Sequence, residues 1–172
     1  MQILIFGMHR SGSSMVARLL NMMGAYFAPE GVEMPAHPEN PKGFWERQDV
    51  NELCIRLLRS ANCEWYRISS FTIDKIPDQA LEEFREKARQ IILYLDAHRP
   101  WFLKDPRLCV LAPLWFGVAR VSGVRFGQSL AFGSGTVSGD AKWIPTCFGN
   151  RPLGALQHRG LKRHTRTPAY PN

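Results

Sequence analysis

The residues best suited to chemistry stand near the start of the chain, in the run Gly7-Met8-His9-Arg10-Ser11-Gly12-Ser13-Ser14. Two glycines bracket a turn, three serines bring hydroxyls, and Arg10 brings a permanent positive charge. Between a strand and a helix, such a turn lets backbone N–H groups and the helix N-terminus converge on an anion. The spacing is close to G-x-x-x-x-G-K-[ST], with Ser13 where that motif has its lysine. That lysine serves the β- and γ-phosphates of a nucleoside triphosphate, so a ligand with one 5′ phosphate-type anion suits this loop better. Arg10, Ser11, Gly12, Ser13 and Ser14 are the expected anion-binding residues. The plainer use of the same residues is a tight turn that caps a helix.

Such a loop needs a strand before it and a helix after it. Residues 2–6 are a short apolar run, as a buried strand requires. In residues 13–23, Met15, Val16, Leu19, Leu20 and Met23 recur with helical period. Residues 28–43 hold Pro29, Pro35, Pro38 and Pro41 and read as a loop. A second helix is expected over residues 46–59, with Val50, Leu53, Cys54, Leu57 and Leu58 on one face. The clearest helix starts at Pro77-Asp78, carries the stripe Leu81, Phe84, Ala88, Ile91, Ile92 and Leu95, and ends at Arg99-Pro100. Trp101-Phe102-Leu103 is a second strand candidate, ending before Lys104. This order of elements is the grammar of an α/β fold with parallel strands.

The run from Ile5 to Leu20 resembles the 5′-phosphosulfate loop of sulfotransferases that use 3′-phosphoadenosine 5′-phosphosulfate (PAPS). It is most similar to the bacterial branch, whose loop reads H-R-S-G-[ST]-[ST]. Asn40-Pro41-Lys42-Gly43-Phe44-Trp45-Glu46 and Trp101-Phe102-Leu103-Lys104-Asp105-Pro106-Arg107-Leu108 resemble the same branch, so the likeness frames residues 1–115. It implies a P-loop-like three-layer fold, incomplete here, and PAPS as co-substrate without a metal. The implied reaction is transfer of a sulfuryl group to a hydroxyl or amine of a carbohydrate, lipid, peptide or small-molecule acceptor.

The resemblance places Arg10 where the family contacts the 5′-phosphosulfate, with Ser11, Gly12, Ser13 and Ser14 as further donors. Lys104 falls where the family often has a lysine facing the sulfuryl group. In-line sulfuryl transfer builds charge on the bridging oxygen of the leaving nucleotide, and fixed cations stabilise it there. Arg10 and Lys104 are the candidates for that task, by analogy with phosphoryl transfer. A base must take the acceptor's proton, and His9, Glu46 and Asp105 are the candidates. Each has a plainer use: a core or supporting histidine, the first-turn acid of a helix, and an ion pair with Arg107. For Lys104 the plainer use is a solvated surface lysine.

The 172 residues include 22 Lys+Arg and 15 Asp+Glu, and charge is distributed unevenly. Residues 1–115 hold 14 of each sign, whereas residues 116–172 hold 8 basic residues, one acid (Asp140) and nine of the 14 glycines. Residues 116–172 also leave the family pattern: Arg120-Val121-Ser122-Gly123 lacks the proline that follows the family's 3′-phosphate arginine, and Ser129-Leu130 is one residue out of step. Only residues 118–124 and 130–132 offer weak strand signals. The expectation is a basic Gly- and Arg-rich tail, disordered or read in a shifted frame; the protein is then a sulfotransferase, complete or truncated, and inactive if the tail is not native to the family. Two alternatives stand beside it. One is a nucleotide kinase-like P-loop protein. The other is non-specific nucleic-acid binding through Arg159, Lys162, Arg163 and Arg166, with Tyr170 the single aromatic residue beside them.

Composition excludes other classes. An apolar fraction of 45% argues against general disorder. The most apolar stretch, residues 108–119, lies between Arg107 and Arg120 and is too short to cross a bilayer. No basic region precedes an apolar leader, so the expected compartment is the cytoplasm. The four cysteines, Cys54, Cys63, Cys109 and Cys147, form no C-x-x-C pair and read as reduced thiols, with no metal site expected.

Overall fold

The computed structural model describes residues 1–38 and 40–125, and beyond them the backbone of three short strands. The order is β1 (Gln2–Gly7), α1 (Ser13–Met22), α2 (Gln48–Ser60), α3 (Asp78–Asp96), β2 (Trp101–Lys104), α4 (Leu108–Val121), β3 (Gln128–Phe132), β4 (Thr136–Ser138) and β5 (Lys142–Ile144). The first three strands form a parallel sheet in the order β2-β1-β3, and β4 pairs with β5 in a separate antiparallel ribbon. The molecule is an α/β structure.

Parallel strands buried on both faces read as continuous apolar runs, which is how β1 and β2 read. Leu4, Phe6, Trp101 and Leu103 face the core built with α2, α3 and α4. Ile3, Ile5 and Phe102 face the other side, against Ala17 of α1, Ala25, Leu20, Phe27 and Trp45. By the same alternation Lys104 follows Phe102 onto the α1 side, and it pairs in register with Ile5. The chain thus leaves β1 toward one face and β2 toward the other. In open parallel sheets, ligands bind at the carboxyl ends of strands where the connections diverge in this way.

Helices α2 and α3 bury the expected stripes: Val50, Leu53, Cys54, Leu57 and Leu58 in one, Phe84, Ala88, Ile91, Ile92 and Leu95 in the other. Helix α1 departs from expectation. It buries Ser13 and Ala17, while Met15, Leu19, Met22 and Met23 are exposed. Of the expected stripe Leu20 packs on the sheet side, and the fully buried positions are the small Ser13 and Ala17.

Two further expectations are corrected. Residues 118–124 are not a strand: α4 runs through Val121, burying Val118 and Ala119, and ends at a turn with Gly123 at φ +74°. Glu46 is not in the first turn of its helix, because α2 begins at Gln48 and its first-turn acid is Asp49. Residues 130–132 do lie in a strand, within β3. Cys54, Cys63 and Cys109 are buried thiols, and among the described residues no helix is long and apolar enough to cross a membrane. Cys147 and the basic cluster Arg159, Lys162, Arg163 and Arg166 lie outside the described residues.

Asp96 ties the end of α3 to the starts of β1 and β2. Its carboxylate accepts from Gln2 Nε2 (3.0 Å), Trp101 Nε1 (3.3 Å) and Arg99 Nε (2.8 Å), with a second, shorter bond from Arg99 Nη2. Chiefly through the Arg99 bond, and against partial burial, its pKa falls from 3.8 to about 2. A depressed carboxyl pKa stabilises the fold above the unfolded value and ceases to do so below the folded one. Asp96→Asn is expected to lower unfolding stability by about 1–2 kcal/mol at pH 7. The gap between wild type and variant should close as pH falls from about 4 to about 2, as followed by denaturant unfolding; a gap independent of pH would show that the charge is not what matters.

Candidate functional site

The run between β1 and α1 folds as a tight turn. Ser11 N donates to Met8 O (3.2 Å), and Gly12 stands at the head of α1 with φ +81°, where a side chain would be strained. Arg10 also has positive φ, +67°, an uncommon conformation for a residue with a Cβ and one that tends to cluster at functional sites. Like α2 and α3, helix α1 opens with no side-chain cap, but unlike them it has no acid in its first turn. Its positive end is therefore not neutralised locally. Ser11 Oγ is buried and has no hydrogen-bond partner among the described residues.

Lys104 is 4% exposed, so it is not a solvated surface lysine. Its Nζ donates to Ser14 Oγ (3.2 Å), to the Phe44 carbonyl (3.0 Å) and to Glu46 Oε1 (2.5 Å). Ser14 Oγ also accepts from Asn40 Nδ2 (3.4 Å), whose other bond, to Gly43 O, is 2.7 Å. Residues 40–46 therefore lie as a strap across the first turn of α1. Two positive-φ residues shape the strap, Gly43 (+87°) and Trp45 (+58°), and the turn at Trp45 is followed directly by the buried Glu46.

Behind this contact lies a second buried pair. Arg107 donates through Nε and Nη2 to the two oxygens of Asp105 (2.7 and 2.6 Å), and its Nη2 lies 3.6 Å from Glu46 Oε2. Asp105 Oδ1 also accepts from Arg107 N at the start of α4. Two cations and two carboxylates thus alternate as Lys104, Glu46, Arg107, Asp105. Burial pushes the Glu46 carboxyl above its ordinary range, with Lys104 opposing it. The Cys54 thiol beneath is pushed up by burial first and by Asp105 second, so it is inert as a nucleophile.

His9 stands apart from this network. Its ring centroid is 4.6 Å from that of Trp65, and partial burial followed by the Arg107 charge holds its pKa below the usual imidazole range. Of the three base candidates, Glu46 and Asp105 are committed to ion pairs, whereas His9 is exposed.

The structure thus brings Lys104, Glu46 and Ser14 together, with Asp105 behind them. Ser11, Gly12 and Ser13 form the turn; Arg10 is exposed beside His9 at its outer edge. Sequence reasoning missed Asn40 and the Phe44 carbonyl as parts of the site, and it missed Arg47, which is buried on Asp49 and the Phe27 carbonyl. The run Asn40-Pro41-Lys42-Gly43-Phe44-Trp45-Glu46 was the available signal. Arg120 and Arg125 are exposed at and after the end of α4, and Ser129 lies on β3.

Removing one partner of a buried ion pair strands the other, so Lys104→Ala should destabilise the protein by about 3–5 kcal/mol. Lys104→Met combined with Glu46→Gln should recover most of that loss in urea unfolding. A single-variant cost below about 1 kcal/mol would mean the pair is solvated and not buried.

Compared with known proteins, the chain matches no protein-family model, no curated protein and no solved structure.

Proposed function

We propose that residues 7–14 bind the 5′-phosphosulfate of PAPS and that the protein is a sulfotransferase with a P-loop-like fold. The observation that carries this reading is Lys104 Nζ, buried at the end of β2 and 3.2 Å from Ser14 Oγ in the first turn of α1. It sets a cation from a neighbouring strand beside the loop that lacks the usual lysine at Ser13. The unpartnered Ser11 hydroxyl and the uncapped N-terminus of α1 supply donors on the same turn. The resemblance of residues 5–20, 40–46 and 101–108 to the bacterial sulfotransferases points the same way.

In this reading the acceptor oxygen forms the new bond to sulfur as the bond from sulfur to the 5′-phosphate oxygen breaks. The electron pair of that bond leaves with 3′,5′-adenosine bisphosphate. Arg10, Lys104 and the loop N–H groups stabilise the negative charge that develops there. The acceptor's proton passes to His9, neutral at neutral pH because its pKa is lowered. Glu46 holds Lys104 in place, and Asp105 holds Arg107.

Saturating 3′,5′-adenosine bisphosphate, at about 100 times its dissociation constant, should add about 2.7 kcal/mol to unfolding stability. Arg10→Ala should weaken that binding about tenfold or more, read as a smaller bisphosphate-induced shift against the variant's own ligand-free melt. A larger shift with ATP and magnesium than with the bisphosphate would favour the kinase-like alternative and overturn this one.

A further inference from the structure

We propose that Asn40 is a positioning residue of the donor loop: together with Lys104 it fills both lone pairs of the Ser14 hydroxyl, so that the Ser14 proton is left for the 5′ anion of the ligand. This rests on the reading of residues 7–14 as the donor site and deepens it, since it gives a task to a residue 26 positions away in the strap.

A serine hydroxyl has one proton to donate and two lone pairs that accept. Lys104 Nζ is an ammonium that can only donate, and it lies 3.2 Å from Ser14 Oγ. Asn40 Nδ2 approaches the same oxygen at 3.4 Å, a longer and weaker bond. An amide can face either way, and Gly43 decides which. The Gly43 carbonyl only accepts and lies 2.7 Å from Nδ2, so the NH2 group faces Gly43 and has its second proton for Ser14. With both lone pairs taken, the Ser14 proton must point elsewhere. Ser14 is the second residue of α1, so no earlier helical turn offers it a carbonyl. Among the described residues that proton has no acceptor.

Asn40 is itself held before it reaches Ser14. Its N–H donates to His37 O (2.7 Å), and its carbonyl accepts from Gly43 N (3.0 Å). The base of the strap is pinned by Met34 N to Glu46 O and by Gln48 N to Val32 O, both 2.8 Å. A hydroxyl oriented in advance by such fixed groups does not have to be ordered by the ligand, and that is the gain a positioning residue supplies.

The test is a double-mutant cycle on the full chain, with 3′,5′-adenosine bisphosphate as the probe and its dissociation constant as the readout. Asn40→Ala should weaken binding about threefold to tenfold, and Ser14→Ala about tenfold. In the Ser14→Ala background, Asn40→Ala should cost less than about a further twofold. In a Ser14→Thr background, which keeps the hydroxyl, its full effect should return. An Asn40 that merely holds the strap would show the same loss in all three backgrounds; that result overturns the proposal, as does an Asn40→Ala chain that binds like the wild type. Asn40→Asp gives a second reading that needs no change at Ser14. Its carboxylate takes the Ser14 proton, so binding should fall below that of Asn40→Ala, and binding at or above that level overturns the proposal. The two readings fail separately. No bisphosphate binding by the wild-type chain sinks the donor-site reading and this one with it, whereas wild-type binding with an Asn40→Ala loss indifferent to Ser14 sinks this one alone.

Discussion

A lysine ammonium removed from water must be met by acceptors on every side, and that demand at Lys104 shapes the rest of the site. Stripping the charge of solvent costs several kcal/mol unless its protons are all engaged. The three acceptors come from the first turn of α1 and from two positions in the strap, and lie 90, 60 and 58 residues away in sequence. Lys104 can be buried only when β2, α1 and the strap are all in place. The alternation of β2 decides that it points to the α1 side, so the pleat of a four-residue strand sets where the charge goes.

The same demand accounts for the backbone conformations nearby. A Glu46 carboxylate reaches Lys104 only if the chain turns inward just before it, and Trp45 at positive φ with Gly43 two residues earlier makes that turn. Such a conformation costs of order 1–3 kcal/mol at a residue with a side chain. The ion pair offsets it, and Phe27 packs on Trp45 at 5.6 Å between ring centroids. Asn40 then joins the strap's other end to Ser14. Local strain and long-range pairing are parts of one arrangement.

What was legible in the sequence follows from this. Gln2–Gly7 and Trp101–Lys104 declared themselves as strands because both faces are buried, and α2 and α3 because each shows one apolar face. Gly12 marked the loop because the backbone turns there at positive φ, and the serines marked it by their hydroxyls. Helix α4 was not legible: it is apolar almost all round and has Pro113 inside, so neither period nor composition marks it. For α1 the period was right and the buried face was not, since close approach to the sheet selects Ser13 and Ala17 over the larger methionines. The partners of Lys104 and Arg47 depend on contacts many residues apart, which no local pattern encodes.

Charge balance bears on how the site would receive a ligand. Lys104 with Glu46 and Arg107 with Asp105 leave the buried network neutral, so its cations are already matched before any anion arrives. The initial attraction must come from the loop N–H groups, the open end of α1 and Arg10 at the rim. An anion that settles on Ser14 competes for the Lys104 protons now shared among Ser14, Phe44 and Glu46. Glu46 keeps Arg107 at 3.6 Å as a second, longer-range partner, which lessens the cost to the carboxylate when Lys104 turns toward a ligand. Arg107 is then more than a clamp for Asp105. In the proposed reading it also eases each step of Lys104 toward the loop, because it keeps a positive charge near the Glu46 carboxylate.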